Sequence, residues 1–103
     1  MNINPLDFLK NAQKLQEQMG AFQEKLGGIQ ITGSAGGGMA EIDMNGKMEV
    51  LAVRIGQEAM EDREMLQDLV TAAFNNALEK VREEVSREMG GMIPGGLSSL
   101  GLV

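Results

Sequence analysis

Apolar residues recur at helical spacing near the start of the chain. Asn4 followed by Pro5 is typical of a helix start, because the amide side chain caps the first turn and proline suits the first helical position. Gly27 and Gly28 indicate its end, so the pattern predicts a helix over residues 5–26. Successive spacings of 4, 3, 4, 3 and 4 residues, a heptad pattern, separate Phe8, Ala12, Leu15, Met19, Phe22 and Leu26.

The pattern changes to alternation over residues 29–55, which predicts strands. "MAEIDM" alternates apolar and acidic residues, and Asn45–Gly46 predicts a hairpin turn because both residues tolerate positive φ. In the following "KMEVLAVRI", the early apolar residues are out of phase with the later ones. Either a β-bulge shifts the register, or both faces of this strand are covered; the second alternative indicates a subunit interface on the sheet.

Residues 56–62 form a connector with room for one helical turn, and Asp62 is a suitable N-cap for a second helix over 63–89. Its apolar positions narrow to one stripe within a densely charged sequence. The predicted fold is therefore α+β in the order α-β-β-β-α, with a three-stranded antiparallel sheet and two long helices. We expect one domain over residues 1–89 and a flexible tail, rich in glycine and proline, over 90–103.

Both predicted helices are long for so small a sheet. At a rise of 1.5 Å per residue they would span roughly 33 and 40 Å. Each overhang carries an apolar stripe that needs a partner. A homodimer with projecting helices is the simplest prediction.

The glycine-rich stretch "TGSAGGG", residues 32–38, has two interpretations. Glycines let backbone N–H groups approach a phosphate, and they also form turns between strands. A phosphate loop needs a Lys and a following helix, whereas a strand pattern follows here. The stretch is therefore predicted to connect the first two strands.

The chain of 103 residues contains no Cys and no His. Without them the usual nucleophile–base pairs and thiolate metal sites cannot be built. We therefore predict a protein that is not an enzyme, with no cofactor, no metal and no small-molecule substrate. The sequence shows neither a signal-peptide pattern nor an apolar run long enough to span a membrane, which predicts a cytoplasmic protein without membrane contact.

The formal net charge of −6 argues against nucleic acid, although the distribution of charge matters more than the sum. Helical geometry places three lysines on one outward face of the first helix. On the second helix it places Lys80 and Arg87 opposite the apolar stripe and Arg82 at the flank of that stripe. An ordinary solvated face is the alternative interpretation of both patches. The candidate DNA-binding residues are Lys10, Lys14, Lys25, Lys80, Arg82 and Arg87.

The segment from "GGGMAEIDMNGK" to "EDREMLQDLVTAAFNNALEKVREE" resembles the YbaB/EbfC family of bacterial nucleoid-associated proteins. "LKNAQKLQEQM" and "GGMIPGGL" fit the same family. The resemblance implies an α-β-β-β-α homodimer of tweezer-like outline that binds double-stranded DNA. It also implies a location at the nucleoid, a role in nucleoid organisation and gene regulation, and DNA contacts from basic residues on the projecting helices.

Two hypotheses about function follow. In the first, the protein is a nucleoid-associated DNA-binding protein of low sequence specificity, in which phosphate contacts dominate. In the alternative, it is a protein–protein interaction module that docks a partner through its heptad and Met-rich stripes.

Overall fold

The computed structural model describes residues 4–92. Its elements are α1 (Pro5–Gly28), β1 (Gln30–Ala35), β2 (Ala40–Asn45), β3 (Val50–Ile55) and α2 (Arg63–Met92). The strands form one antiparallel sheet in the order β1-β2-β3. The predicted α+β fold and element order are thus confirmed, while residues 93–103 of the predicted tail lie outside the described residues.

Side-chain caps fix the starts of both helices where the sequence predicts them. The Asn4 side chain accepts a hydrogen bond from the Leu6 N–H at 3.0 Å, and Asp62 Oδ1 accepts one from the Met65 N–H at 3.1 Å. Each bond satisfies a backbone donor that has no partner within the first turn of its helix.

The predicted helix ends are wrong, because both helices continue through their glycine pairs. α1 includes Gly27 and Gly28, and α2 continues through Gly90 to Met92. Glycine weakens a helix by about 1 kcal/mol relative to Ala but does not forbid it. In α1 the last turn is held from outside, since the Gly46 N–H donates to the Leu26 carbonyl at 2.9 Å.

Helix α2 lies directly against β1 at a glycine. A Cβ built on Gly33 would lie 2.5 Å from the Ala73 carbonyl oxygen and 2.6 Å from Ala77 Cα. Only the absence of a side chain on the strand, together with alanines on the helix, permits this approach. Of the four glycines in "TGSAGGG", Gly33 therefore serves packing rather than a turn.

The other three glycines of that stretch, Gly36–Gly38, form the tight turn between β1 and β2. All three have positive φ, at 63°, 66° and 95°. This conformation is costly for residues with a Cβ. The predicted connector is confirmed at Gly36–Gly38, whereas the first half of the stretch, residues 32–35, belongs to β1.

The hydrophobic core is small and lies between α2 and the first two strands. It consists mainly of small side chains from β2 and α2, namely Ala40, Ile42, Met44, Ala73, Ala77 and Val81. Helix α2 packs over β1 and β2. Val53 pairs with Ile42 and so faces the same side of the sheet, yet it is 51% exposed. The apolar face of β3 therefore lacks cover within the described chain.

A β-bulge explains the out-of-phase residues of β3. Asp43 pairs with Ala52 and Met44 pairs with Val50, which leaves Leu51 as the extra residue. Of the two alternatives for this strand, the bulge is the one observed.

The predicted hairpin lies at Asn45–Gly46, but its conformation differs from the prediction. Asn45 Oδ1 accepts hydrogen bonds from the N–H groups of Lys47 and Glu49, and the positive φ of 63° falls at Met48. Gly46 is required for contact instead, because a Cβ there would lie 2.5 Å from the Leu26 carbonyl oxygen.

An ion pair lies on the sheet face opposite α2. Arg54 donates to both carboxylate oxygens of Asp43, at 2.6 and 2.9 Å, and Thr32 Oγ1 donates to the same carboxylate at 2.8 Å. The hydrogen bonds from Arg54 and then from Thr32 lower the pKa of Asp43 from 3.8 to about 2. This network joins all three strands, because its members lie on β1, β2 and β3.

Replacing Gly33 with Ala is expected to destabilise the protein by roughly 1–3 kcal/mol, because the new methyl group forces α2 away from β1. The measurement is the free energy of unfolding from a denaturant titration. Gly20→Ala is the matched control, since a Cβ at Gly20 meets nothing within 4 Å. We expect the control to leave the fold intact and to raise helicity. Equal stability of the two variants would contradict this account of the packing.

Acid should weaken the protein through Asp43. A carboxylate with a lowered pKa in the folded state contributes stability above its unfolded pKa, and this contribution disappears as pH falls from about 4 to about 2. In Tm measurements across this range, wild type should lose its advantage over Asp43→Asn as the pH falls. A constant difference in Tm would be evidence against the pair. Asp68→Asn serves as the control, because Asp68 forms no ion pair within residues 4–92.

Candidate nucleic-acid interface

Helix α1 projects from the rest of the described chain. Its 24 residues include none that is buried. The longest dimension of the structure is 69 Å, whereas the 30 residues of α2 span only about 45 Å. We call residues 5–20 of α1 the α1 arm.

Two of the predicted DNA-binding residues, Lys10 and Lys14, lie on this arm. They lie on one exposed side of α1 together with Asn11, Gln13 and two acidic residues, Asp7 and Glu17. Neither lysine forms a salt bridge within the part of the chain that the structure describes. One turn separates them along the helix, so both ammonium groups are free to meet the phosphates of one backbone.

Two further candidates are paired with carboxylates of α2. Lys25 Nζ lies 2.5 Å from Glu88 Oε2, and this ion pair joins the end of α1 to the end of α2. Arg87 pairs with Glu84 one turn earlier on its own helix. A phosphate would have to displace a carboxylate at each of these positions.

Lys80 has a structural contact. Its ammonium group donates to the Thr32 carbonyl oxygen at 2.9 Å, and the neighbouring Ser34 N–H donates to Asn76 Oδ1 at 3.0 Å. These side chains of α2 satisfy backbone groups on the outer edge of β1, which an edge strand otherwise leaves open. Arg82 is exposed on α2 and forms no ion pair within residues 4–92.

The structure therefore does not gather the six predicted residues into one cluster. Lys10 and Lys14 lie on the arm, Lys25 and Arg87 lie near the end of α2, and Lys80 lies against β1. Three exposed cations, Lys47, Arg54 and Arg63, were not among the candidates, and Arg54 is held by Asp43. Lys47 packs over the end of α1, where its Cε would lie 3.5 Å from a Cβ on Gly27, and only its position beside the hairpin signal could have drawn attention to it.

This arrangement suits an extended anionic ligand better than a small one. Within residues 4–92, no group of three or more acidic, His or Cys side chains is placed to hold a metal ion. No helix in that range is both long enough and apolar enough to cross a bilayer. The exposed lysines present point charges on a convex helix, which is a geometry for contacting a phosphate backbone.

Three similar proteins from different bacteria share one description, that of a nucleoid-associated protein. The chain is 42% identical over 90 residues to a nucleoid-associated protein of Xylella fastidiosa, covering 87% of this chain and 84% of that protein. It is 44% identical over 91 residues to a nucleoid-associated protein of Chlorobium limicola, covering 84% and 82%. It is 40% identical over 95 residues to one of Xanthomonas campestris, covering 92% and 90%.

A crystal structure of an uncharacterized protein from Helicobacter pylori has the same fold. The TM-score is 0.78 at 22% sequence identity, and the match covers 88% of this chain and 98% of that one. The model of the YbaB/EbfC DNA-binding family matches residues 1–97. This chain therefore belongs to the YbaB/EbfC DNA-binding family.

Proposed function

We propose that this protein is a homodimeric nucleoid-associated protein that binds double-stranded DNA with low sequence specificity through basic side chains on projecting helices. It acts in the cytoplasm at the nucleoid, where it affects nucleoid organisation and gene expression. Family membership over nearly the whole chain is the observation that carries the proposal. The named relatives, which are nucleoid-associated proteins, support the location.

Lys10 and Lys14 are the main DNA contacts in this proposal. They are the two candidates that combine a projecting helix with freedom from ion pairs in the described chain. Arg82 is a secondary contact. Lys25 and Arg87 contribute only where phosphate displaces Glu88 and Glu84, while Lys80 remains bound to β1.

Low sequence specificity follows from the type of contact. Sequence is read by side chains that hydrogen-bond to base edges, whereas lysine ammonium groups on phosphates give register without sequence information. The net charge of −6 adds long-range repulsion. Few contacts and a repelling surface together make binding weak and strongly dependent on salt.

The uncovered face of β3 supports the homodimer. Val50 is 45% exposed and Val53 is 51% exposed on the same side of the sheet as the core. Phe74 and Met60 add exposed apolar area from α2 and from the turn before it. Half of the core residues are alanines, which bury little apolar area, so a subunit of this size gains stability when a second copy covers this face.

Reversing the charge of the arm should abolish most DNA binding. For Lys10→Glu/Lys14→Glu we expect an affinity at least 10-fold lower on a random-sequence duplex, because two phosphate contacts become repulsions. The measurement is fluorescence anisotropy at several salt concentrations, starting from about 50 mM, and the salt slope should fall by about one for each lost phosphate contact.

Lys47→Glu/Arg63→Glu is the matched control, since it changes the net charge by the same amount away from the arm. We expect it to lose no more than about threefold in affinity. Equal losses in both double variants would show that net charge matters and that the arm is not the site. If wild type does not bind DNA at about 50 mM salt, the proposed function is overturned and the alternative, a protein–protein interaction module, is favoured.

Charging the face of β3 should break the homodimer. We expect Val53→Glu to lower the molecular mass measured by light scattering after gel filtration, because a carboxylate cannot be desolvated in an apolar interface without a partner. Gln13→Glu adds the same charge on the arm and should leave this interface intact. A dimeric Val53→Glu variant would place the subunit contact elsewhere.

A further inference from the structure

The α1 arm exposes an apolar surface that the core does not use. Phe8 is 63% exposed, Leu15 is 60% exposed and Met19 is 64% exposed, and Ala12 lies between them at the same heptad spacing. We call these four residues the arm seam. Phe22 and Leu26 continue the same heptads but are partly buried at the base of the helix.

The arm has no buried residue within the described chain. In proteins, tertiary packing of an apolar face normally supplies most of the stability of a helix. Gly20 weakens the end of the arm further. The arm therefore gains helicity when its seam is covered.

The residues beside the seam identify the partner. Within the arm, the positions that flank the seam carry no charge: they are Leu9, Asn11, Gln16 and Gln18. These positions normally hold the charges that decide which helices pair. A second copy of the same helix meets no like-charge repulsion along such flanks, and it supplies an apolar seam of matching length and spacing.

The charged residues of the arm lie on its other side. The outward heptad positions hold two acidic and two basic residues, so pairing along the seam leaves both lysines accessible; these residues are Asp7, Lys10, Lys14 and Glu17. Two paired arms then present lysines in opposite directions. One pair of arms can contact two separate duplexes.

We propose that the α1 arm binds the α1 arm of a second copy along the seam, and that this contact bridges two DNA duplexes. The bridging role rests on the proposed DNA binding, whereas the helix pairing does not. The seam is a different surface from the exposed face of β3. Two distinct self-association surfaces allow dimers to join into larger assemblies.

Site-specific cross-linking tests the pairing directly, because the chain contains no cysteine. Leu15→Cys places one thiol on the seam, and Ala21→Cys places one on an exposed outward position of the same helix. With a short bifunctional maleimide we expect intermolecular product at least 10-fold faster from Leu15→Cys. Equal rates, or no product from Leu15→Cys, would overturn the pairing.

Deletion of residues 93–103 tests whether the chain's own C-terminal segment, rather than a second copy, covers the seam. If the chain's own C-terminal segment covers the seam, Leu15→Cys gives product only after this deletion, and the proposal is wrong. If a second copy covers it, the full chain and the shortened chain give product at similar rates.

A bridging assay tests the function. One duplex is immobilised and a second, labelled duplex is recovered through the protein. We expect Leu15→Gln/Met19→Gln to bind the immobilised duplex within about twofold of wild type but to recover at least 10-fold less labelled DNA. The substitutions leave charge unchanged and keep helix propensity similar, and Ala21→Gln is the control. Unchanged recovery of labelled DNA would overturn bridging by the arms. If wild type does not bind the immobilised duplex at all, the proposed function is overturned instead.

Discussion

The contact of α2 with β1 at Gly33 is the constraint on which the rest of the structure depends. Because the strand has no side chain there, Ala73 and Ala77 bring the helix axis close to the sheet. This close approach places α2 over β1 and β2, and within residues 4–92 it leaves the apolar face of β3 without cover. It also brings Asn76 and Lys80 within hydrogen-bond distance of the edge of β1. Two backbone groups at this edge of the sheet are thereby bonded to side chains of α2.

The packing of α2 on the sheet also divides the basic side chains into those that make contacts inside the fold and those that stay free on the arm. Lys80 satisfies an edge carbonyl, Arg54 links β3 to β2, and Lys25 joins the two helices through Glu88. These contacts hold positive charge within the fold, where it is less available to a ligand. On the arm, Lys10 and Lys14 form no salt bridge within residues 4–92 and stay exposed, with Asp7 and Glu17 beside them. Local geometry therefore matters more than the net charge for the proposed binding.

The apolar face of β3 and the arm seam are both exposed within residues 4–92, and they differ physically. The face of β3 continues the core, so covering it completes a sheet that is half packed. The arm seam lies on a helix without a core of its own, so covering it stabilises secondary structure rather than a domain. This difference is the reason for assigning the first surface to the homodimer and the second to contact between assemblies.

The sequence by itself determined the element order, the caps at Asn4 and Asp62, the connector at Gly36–Gly38 and the family, because these depend on local periodicity and short-range hydrogen bonds. The sequence left open whether β3 carries a bulge, which the structure places at Leu51. It also misplaced both helix ends. At the end of α1, the hydrogen bond from the Gly46 N–H to the Leu26 carbonyl stabilises a last turn that glycine propensity disfavours. The site was predictable only as helix faces, from which Lys10 and Lys14 followed. The tertiary structure alone decided that Lys80 binds β1, that Lys25 pairs with Glu88 and that β3 is uncovered, because these outcomes depend on which residues distant in sequence are brought together.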